Sequence, residues 1–279
     1  MTSIAAAEVA GGPPAALADY LEIHSAYHRI PPPLMSQEEI TALDAGDVVT
    51  LLLASDDDTA ESDKLGMGVL GLVIVDAPRL LVWLSLVRDS EEVDGRVTRA
   101  VIARDNSGLT VRYQHINLPW PVQDRHWVIQ VQNNLDVVDA SGSSVWERNW
   151  ALHDRGTELL QTAFSDGTIQ GLTRKSFDKS IYLPKNSGYW SVARLGENRT
   201  LVAAHVNVLL GGRIPRGLVW RFAQRNLRSG LESLNALVEK TVESIDIDTL
   251  PVDGRGRQIS AEDFERSRRQ WRPRLRPAN

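Results

Sequence analysis

From residue 96 to residue 209 the chain repeats one pattern, and this pattern limits its fold more than any other feature. Short runs rich in β-branched and aromatic residues, about 96–104, 109–117, 126–133, 144–151, 178–183, 188–194 and 200–209, alternate apolar with polar positions. Turn signals separate several of them: Asp105–Gly108 (DNSG), Asp139–Gly142 (DASG) and Gly196–Asn198 (GEN). Parallel strands need crossovers of a dozen or more residues, so runs this close together predict an antiparallel meander. The period then changes. In Ile214–Ile245 a proline stands near the start and Leu218, Phe222, Leu227, Leu231, Leu234, Leu237 and Val238 recur near helical spacing. Thirty helical residues span about 45 Å, enough to cross a sheet. Gly230 is the weak point, costing about 1 kcal/mol relative to alanine in an exposed helix interior. The class expected is α+β, an antiparallel sheet with a long C-terminal helix.

Upstream, residues 47–55 and 66–75 read as two further strands. Residues 76–87 follow as a helix, with Asp76 as N-cap and Pro78 in the first turn. Ser36 and Glu39 form a capping-box pattern for a short helix ending at Gly46. An Ala/Gly/Pro-rich start holds a helix near 15–28 that stops at Ile30–Pro33. The end of the chain differs in charge. From Gly254 onward eight arginines face three acids, a net of five positive charges on a protein whose total is −5. Three parts are expected: an N-terminal helical extension (1–46), a main domain (47–245) and an Arg-rich C-terminal tail (246–279). The tail is expected to be disordered or loosely docked, or else drawn to anionic lipid or to the acidic body.

Several function classes drop out. The chain has no cysteine, which removes disulfides and thiolate chemistry. Mild negative charge argues against general nucleic-acid binding, so no nucleic-acid partner is expected. No run of eighteen apolar residues occurs, and the start lacks the basic region of a secretory signal, so a cytoplasmic protein is expected. The acidic stretch 56–64 lacks EF-hand spacing and reads as a solvated loop. His24 and His28 sit at a zinc-compatible spacing without a third ligand, so no metal is expected. Gly66–Gly71 runs into a strand rather than opening a helix, and no P-loop or Ser-His-Asp arrangement is visible, so neither a cofactor nor a catalytic set is assigned.

Strand alternation nominates wall residues. Trp127, Ile129 and Val131 share one face, and Trp146, Arg148 and Trp150 share another. Val206 belongs to an apolar set with Val202, Ala204 and Val208, which turns His205 and Asn207 outward. Arg148 either points inward, where a buried charge needs a partner, or reverses to the solvent face. Arg99 alternates with Val97 and Val101, and Tyr113 with Val111, so each is a weaker polar candidate or an ordinary strand residue. Asp124 and Arg125 read as braces of the preceding loop, the acid capping amides.

Three stretches carry a resemblance to a known family. "VIVDAPRLLVW" (73–83), "LPWPVQDRHWVIQV" (118–131) and "LLGGRIPRGLVWRFAQRNL" (209–227) resemble, in order and spacing, segments of the START and polyketide-cyclase-like proteins. Arg125-His126 departs from the Arg-Asp common in that family. The resemblance implies a helix-grip fold, a curved antiparallel sheet around a long C-terminal helix enclosing an apolar tunnel. It implies a tunnel mouth at loop 118–125 and the helix near Leu218–Phe222, with Trp120 at the rim. The ligand-binding set is then Arg99, Tyr113, Trp120, Trp127, Ile129, Val131, Trp146, Arg148, Trp150, Val206, Leu218 and Phe222. The partner implied is a bulky apolar lipid, a sterol in preference to a phospholipid, taken up by a monomer through transient membrane contact. The alternative implied is a cyclase or aromatase acting on a polyketide-like substrate.

Overall fold

The computed structural model describes residues 17–18, 20–22, 35–53, 67–87, 97–120, 122–212 and 216–271; of these, the side chains of residues 67, 216 and 218–220 are not described. Nine strands form one sheet: β1 (Val49–Leu53), β2 (Met67–Val75), β3 (Val97–Arg104), β4 (Thr110–Ile116), β5 (Arg125–Asn133), β6 (Val145–Leu152), β7 (Ile181–Tyr182), β8 (Lys185–Arg194) and β9 (Thr200–Leu209). The spatial order is β1-β2-β9-β8-β6-β5-β4-β3, antiparallel throughout, and only the two-residue β7 pairs parallel, with the start of β5. The meander expected from the turn signals is present. Of the run 178–183, residues 178–179 end a short helix (Arg174–Lys179) that starts where Thr173 Oγ1 accepts from Ser176 N, and β7 follows.

One face of the sheet is gripped by helices. On it lies α2 (Arg79–Val87), which follows β2, whereas α1 (Gln37–Asp44), before β1, packs on the other face. α2 buries Leu81, Val82, Trp83 and Leu84 against Val73, Val192 and Val202. The C-terminal helical segment covers the same face as two helices, 216–232 and Leu234–Ser244, parted at Ser233. The Ser233 hydroxyl bonds the Gly230 carbonyl at 2.8 Å. A serine that competes for the carbonyl of the preceding turn bends a helix, and Gly/Ser pairs are common kink sites. Gly71 of β2 carries no Cβ because one would lie 2.5 Å from Leu231 Cδ1, so the 216–232 helix presses close to the sheet there.

The outer face is covered at both ends. Leu17, Tyr20 and Leu43 pack on Leu70, Leu72, Ile74 and Leu201 at one end. At the other, two helices following β6 (Gly156–Ser165 and Arg174–Lys179) lay Leu160, Ala163 and Phe177 over Val111, Tyr113 and Val128. The helix expected at 15–28 is described only at 17–18 and 20–22; His24, His28 and the acidic loop 56–64 lie outside the described residues.

The Arg-rich segment is folded through Trp271, unlike the loose tail expected from its charge. A 3-10 turn (Ile247–Thr249), a bridge between Val252 and Gln258, and a helix (Ala261–Gln270) follow one another. The tie is apolar. Leu250, Ile259 and Phe264 are buried in the inner core, Trp83 Nε1 donates to Val252 O at 3.0 Å, and Trp271 Nε1 donates to Asp76 O at 3.1 Å. Among the described residues no helix is long and apolar enough to cross a membrane.

Candidate ligand-binding cavity

In an antiparallel ladder directly opposed residues point to the same face. The register pairs Arg99 with Gln114, Gln114 with Trp127, Val101 with Arg112, Arg112 with Ile129, Thr110 with Val131, and Asn133 with Arg148. All therefore share the inner face, together with Trp150, which pairs with Val131. Between this part of the sheet and α2 lies a cavity of about 250 Å³. Trp83, Leu86 and Val87 of α2 form one side; Ile129, Val131, Trp150, Trp190 and Val206 form the apolar part of the sheet wall.

The rest of the wall is polar. Arg148 donates from its NH2 to Gly108 O at 2.7 Å and to Thr110 Oγ1 at 3.1 Å. Burial, then the neighbouring Arg112 and Arg104, lower the Arg148 pKa to about 10. Arg112 is lowered to about 10 by burial and by Arg104 and Arg99. The two side-chain amides are fixed by indoles. Trp127 Nε1 donates to Gln114 Oε1 at 2.8 Å, and Trp150 Nε1 donates to Asn186 Oδ1 at 3.1 Å. An indole only donates, so each amide gives it the oxygen and keeps its NH2 for other partners.

At the open end of β4 and β5 a loop (117–124) projects from the sheet, with Pro121 outside the described residues. Asp124 Oδ1 accepts from Leu118 N at 3.0 Å, closing the loop on itself. Its other oxygen lies 3.7 Å from His115 Nε2, which also meets Ser180 Oγ at 3.1 Å. Both partners share one ring nitrogen, so these three residues form a brace rather than a nucleophile relay, in which the acid and the hydroxyl hold opposite nitrogens. Arg125 is 1% exposed and reaches across to the turn after β9. Its guanidinium donates to Leu210 O at 2.6 Å, Gly211 O at 3.0 Å, Gln123 O at 2.5 Å and Asp124 O at 3.3 Å. The loop is thereby tied to the turn that leads into the 216–232 helix. Trp120, at the loop tip, is 93% exposed.

Of the nominated residues, Ile129, Val131, Arg148, Trp150 and Val206 line the cavity. Trp127 stands on the same face and positions Gln114. Arg99 is on the inner face of the exposed edge strand β3. Trp146 also faces inward but is sealed beneath the C-terminal segment. It stacks edge-on to Trp83 (centroids 5.7 Å apart), lies under the Arg79 guanidinium at 3.9 Å, and packs against Gly254. Tyr113 is turned the other way. It is fully buried in the outer cluster with Phe177, because the helices 156–179 make that face apolar too and erase the parity signal. Phe222 is 38% exposed on the 216–232 helix, outside the cavity wall. The Leu218 side chain lies outside the described residues. Sequence reasoning missed Arg112, Gln114, Asn186, Trp83 and Trp190. Arg112 and Gln114 alternate with Val111, Tyr113 and His115, which suggested the opposite face. His205 stands on the outer face as expected, its ring 5.2 Å from that of Tyr189.

A curved antiparallel sheet gripping C-terminal helices, with a lined cavity between the sheet and α2, is the helix-grip arrangement of START proteins. No family model matches the sequence, and no curated protein matches it. Solved structures do match. Human StAR-related lipid transfer protein 5 is 13% identical, aligns over 81% of this chain and 95% of its own, and has a TM-score of 0.51. Human STARD10 is 14% identical over 70% of this chain and 71% of its own, with a TM-score of 0.50. An aromatase/cyclase, Zhui, from Streptomyces sp. R1128 aligns at a TM-score of 0.42, too low to support an argument. At these identities the likeness establishes the fold: this chain has the START helix-grip fold.

Proposed function

We propose that this protein binds a single lipid in the cavity between the sheet and its helices and carries it between membranes. The observation that supports this most is the joined mouth: buried Arg125 clamps the exposed loop 117–124 to the turn leading into the 216–232 helix, beside a part-apolar cavity. Apolar burial, at about 25 cal/mol per Å², supplies affinity, and a few polar groups set orientation. The cavity's 250 Å³ lies below the roughly 300–1,000 Å³ of typical ligand pockets. A bulky sterol therefore requires the helical roof to lift, whereas a slim chain fits with less movement. Among the described residues the lining offers no carboxylate, imidazole, phenol or amine for proton transfer, which supports binding over cyclase-type turnover. Native mass spectrometry of protein purified from cells, followed by titration with a fluorescent sterol and a panel of phospholipids and fatty acids, tests the reading. A co-purified lipid and saturable binding are expected; no saturable binding to any of these would overturn it.

A further inference from the structure

We propose that the ligand is an amphiphile with an anionic oxygen head, a carboxylate or phosphate, seated against Arg148 and Arg112 with its apolar body toward Trp150, Trp190 and Val206; this rests on the lipid-binding reading above. The inner face gathers four guanidinium groups, since Arg99, Arg104, Arg112 and Arg148 all occupy inward register positions on β3, β4 and β6. Arg148 is half-buried, yet both oxygens it bonds, Gly108 O and Thr110 Oγ1, are neutral. Its Nε is buried without a hydrogen-bond partner. The charges acting on it are those of other arginines, which with burial disfavour its charged form. A half-buried cation among cations is relieved by an anion from outside.

The neutral polar groups point to the same chemistry. Gln114 and Asn186 have given their oxygens to indoles, so each keeps an NH2 donor. Among the described residues, the polar side chains lining the cavity are Arg112, Gln114, Arg148 and Asn186, and no carboxylate joins them. A lining of donors suits an oxyanion, which only accepts, better than a sterol hydroxyl, which also needs an acceptor.

The test compares four probes on the full chain by calorimetry: dodecanoate, dodecyl phosphate, dodecanol and inorganic phosphate. Both acidic amphiphiles are expected to bind about tenfold or more tightly than dodecanol, the range of one charge-assisted hydrogen bond. Inorganic phosphate is expected to bind at least about a hundredfold more weakly than dodecyl phosphate, because it lacks the buried chain. Arg148→Met is expected to remove most of the preference for acidic heads, read as the ratio of dodecanoate to dodecanol affinity in the variant. Dodecanol binding as tightly as dodecanoate to the parent protein overturns the proposal and leaves the lipid-binding reading intact; this comparison needs no variant. Phosphate binding as tightly as dodecyl phosphate overturns it in favour of a small-oxyanion site. No binding of any of the three amphiphiles overturns the proposal, and the lipid-binding reading is then decided by the sterol and phospholipid titrations.

Discussion

Arg125→Met tests whether the mouth is held shut by one side chain. Methionine keeps much of the aliphatic stem and removes the guanidinium. The parent makes three short hydrogen bonds, to Gln123 O at 2.5 Å, Leu210 O at 2.6 Å and Gly211 O at 3.0 Å, and a longer one to Asp124 O at 3.3 Å. Hydrogen bonds to a charged group contribute about 1.5–3 kcal/mol each, so the three short ones set a ceiling of roughly 5–9 kcal/mol. Two effects lower it. Gln123 is exposed and Leu210 and Gly211 are half-buried, so their carbonyls can regain water in the variant. Burial also lowers the arginine's own pKa, so the parent carries a desolvation cost that methionine does not. The net expected loss is about 2–4 kcal/mol, or on the order of 5–10 °C in Tm for a chain of this size. Arg125→Lys keeps the charge but cannot fork to three carbonyls, and should recover less than half of the loss. Urea denaturation of the three proteins, read by tryptophan fluorescence and circular dichroism, gives the values. A methionine variant with the parent's midpoint and slope would refute the reasoning, since the clamp would then hold nothing.

Three further outcomes are expected. Trp120→Ala should change the rate of lipid uptake from vesicles by several-fold and leave the denaturation midpoint unchanged, because the side chain is 93% exposed; stopped-flow uptake with the two proteins checks it, and equal rates reject a gating role. His126 is buried among Tyr113, Phe177 and Tyr182, and burial, then nearby His115, lowers its pKa to about 4. The folded protein thus stays unprotonated there while the unfolded chain binds a proton near 6.5, so stability should fall as pH drops from about 6.5 toward 4. His115, also lowered by burial, acts in the same direction, and His126→Phe should flatten the profile measured by denaturation at several pH values. Phe264→Ala should cost about 3–5 kcal/mol, as for a large aromatic in a packed core, because Phe264 is 1% exposed in the inner cluster; a cost under 1 kcal/mol in chemical denaturation would mean the C-terminal segment only rests on the body.

The sequence carried the sheet well, because period-two alternation and turn residues act locally. It carried the inner face only where the outer face is wet. On β5 and β6 the alternation placed Ile129, Val131 and Trp150 correctly on the inner face. On β4 a second helical layer buries Tyr113 and His115 while the cavity side holds Arg112 and Gln114, so polarity along the strand runs opposite to burial. The tail misled for a related reason. Its charge is a surface property, whereas its docking rests on Leu250, Ile259, Phe264 and Trp271, a few apolar residues scattered among arginines. The cap at Ser260, whose hydroxyl accepts from Asp263 N at 3.1 Å, was the local sign of a helix there.

The break at Ser233 divides the C-terminal segment into two helices that hold the body separately. Beyond it, the helix Leu234–Ser244 buries Leu234, Val238 and Val242 in the cluster that holds α2. Before it, the described side chains buried by the 216–232 helix are Leu227 and Leu231. Ala223 packs beside these leucines and Gln224 Nε2 donates to Thr50 Oγ1 at 3.0 Å, so a swing of the first helix about Ser233 would give up these contacts while the second stays seated. A force applied to residues 216–232 would then be relieved at the Ser233 break before it reached the cluster around α2, so the α2 side of the cavity keeps its seat while the first helix moves.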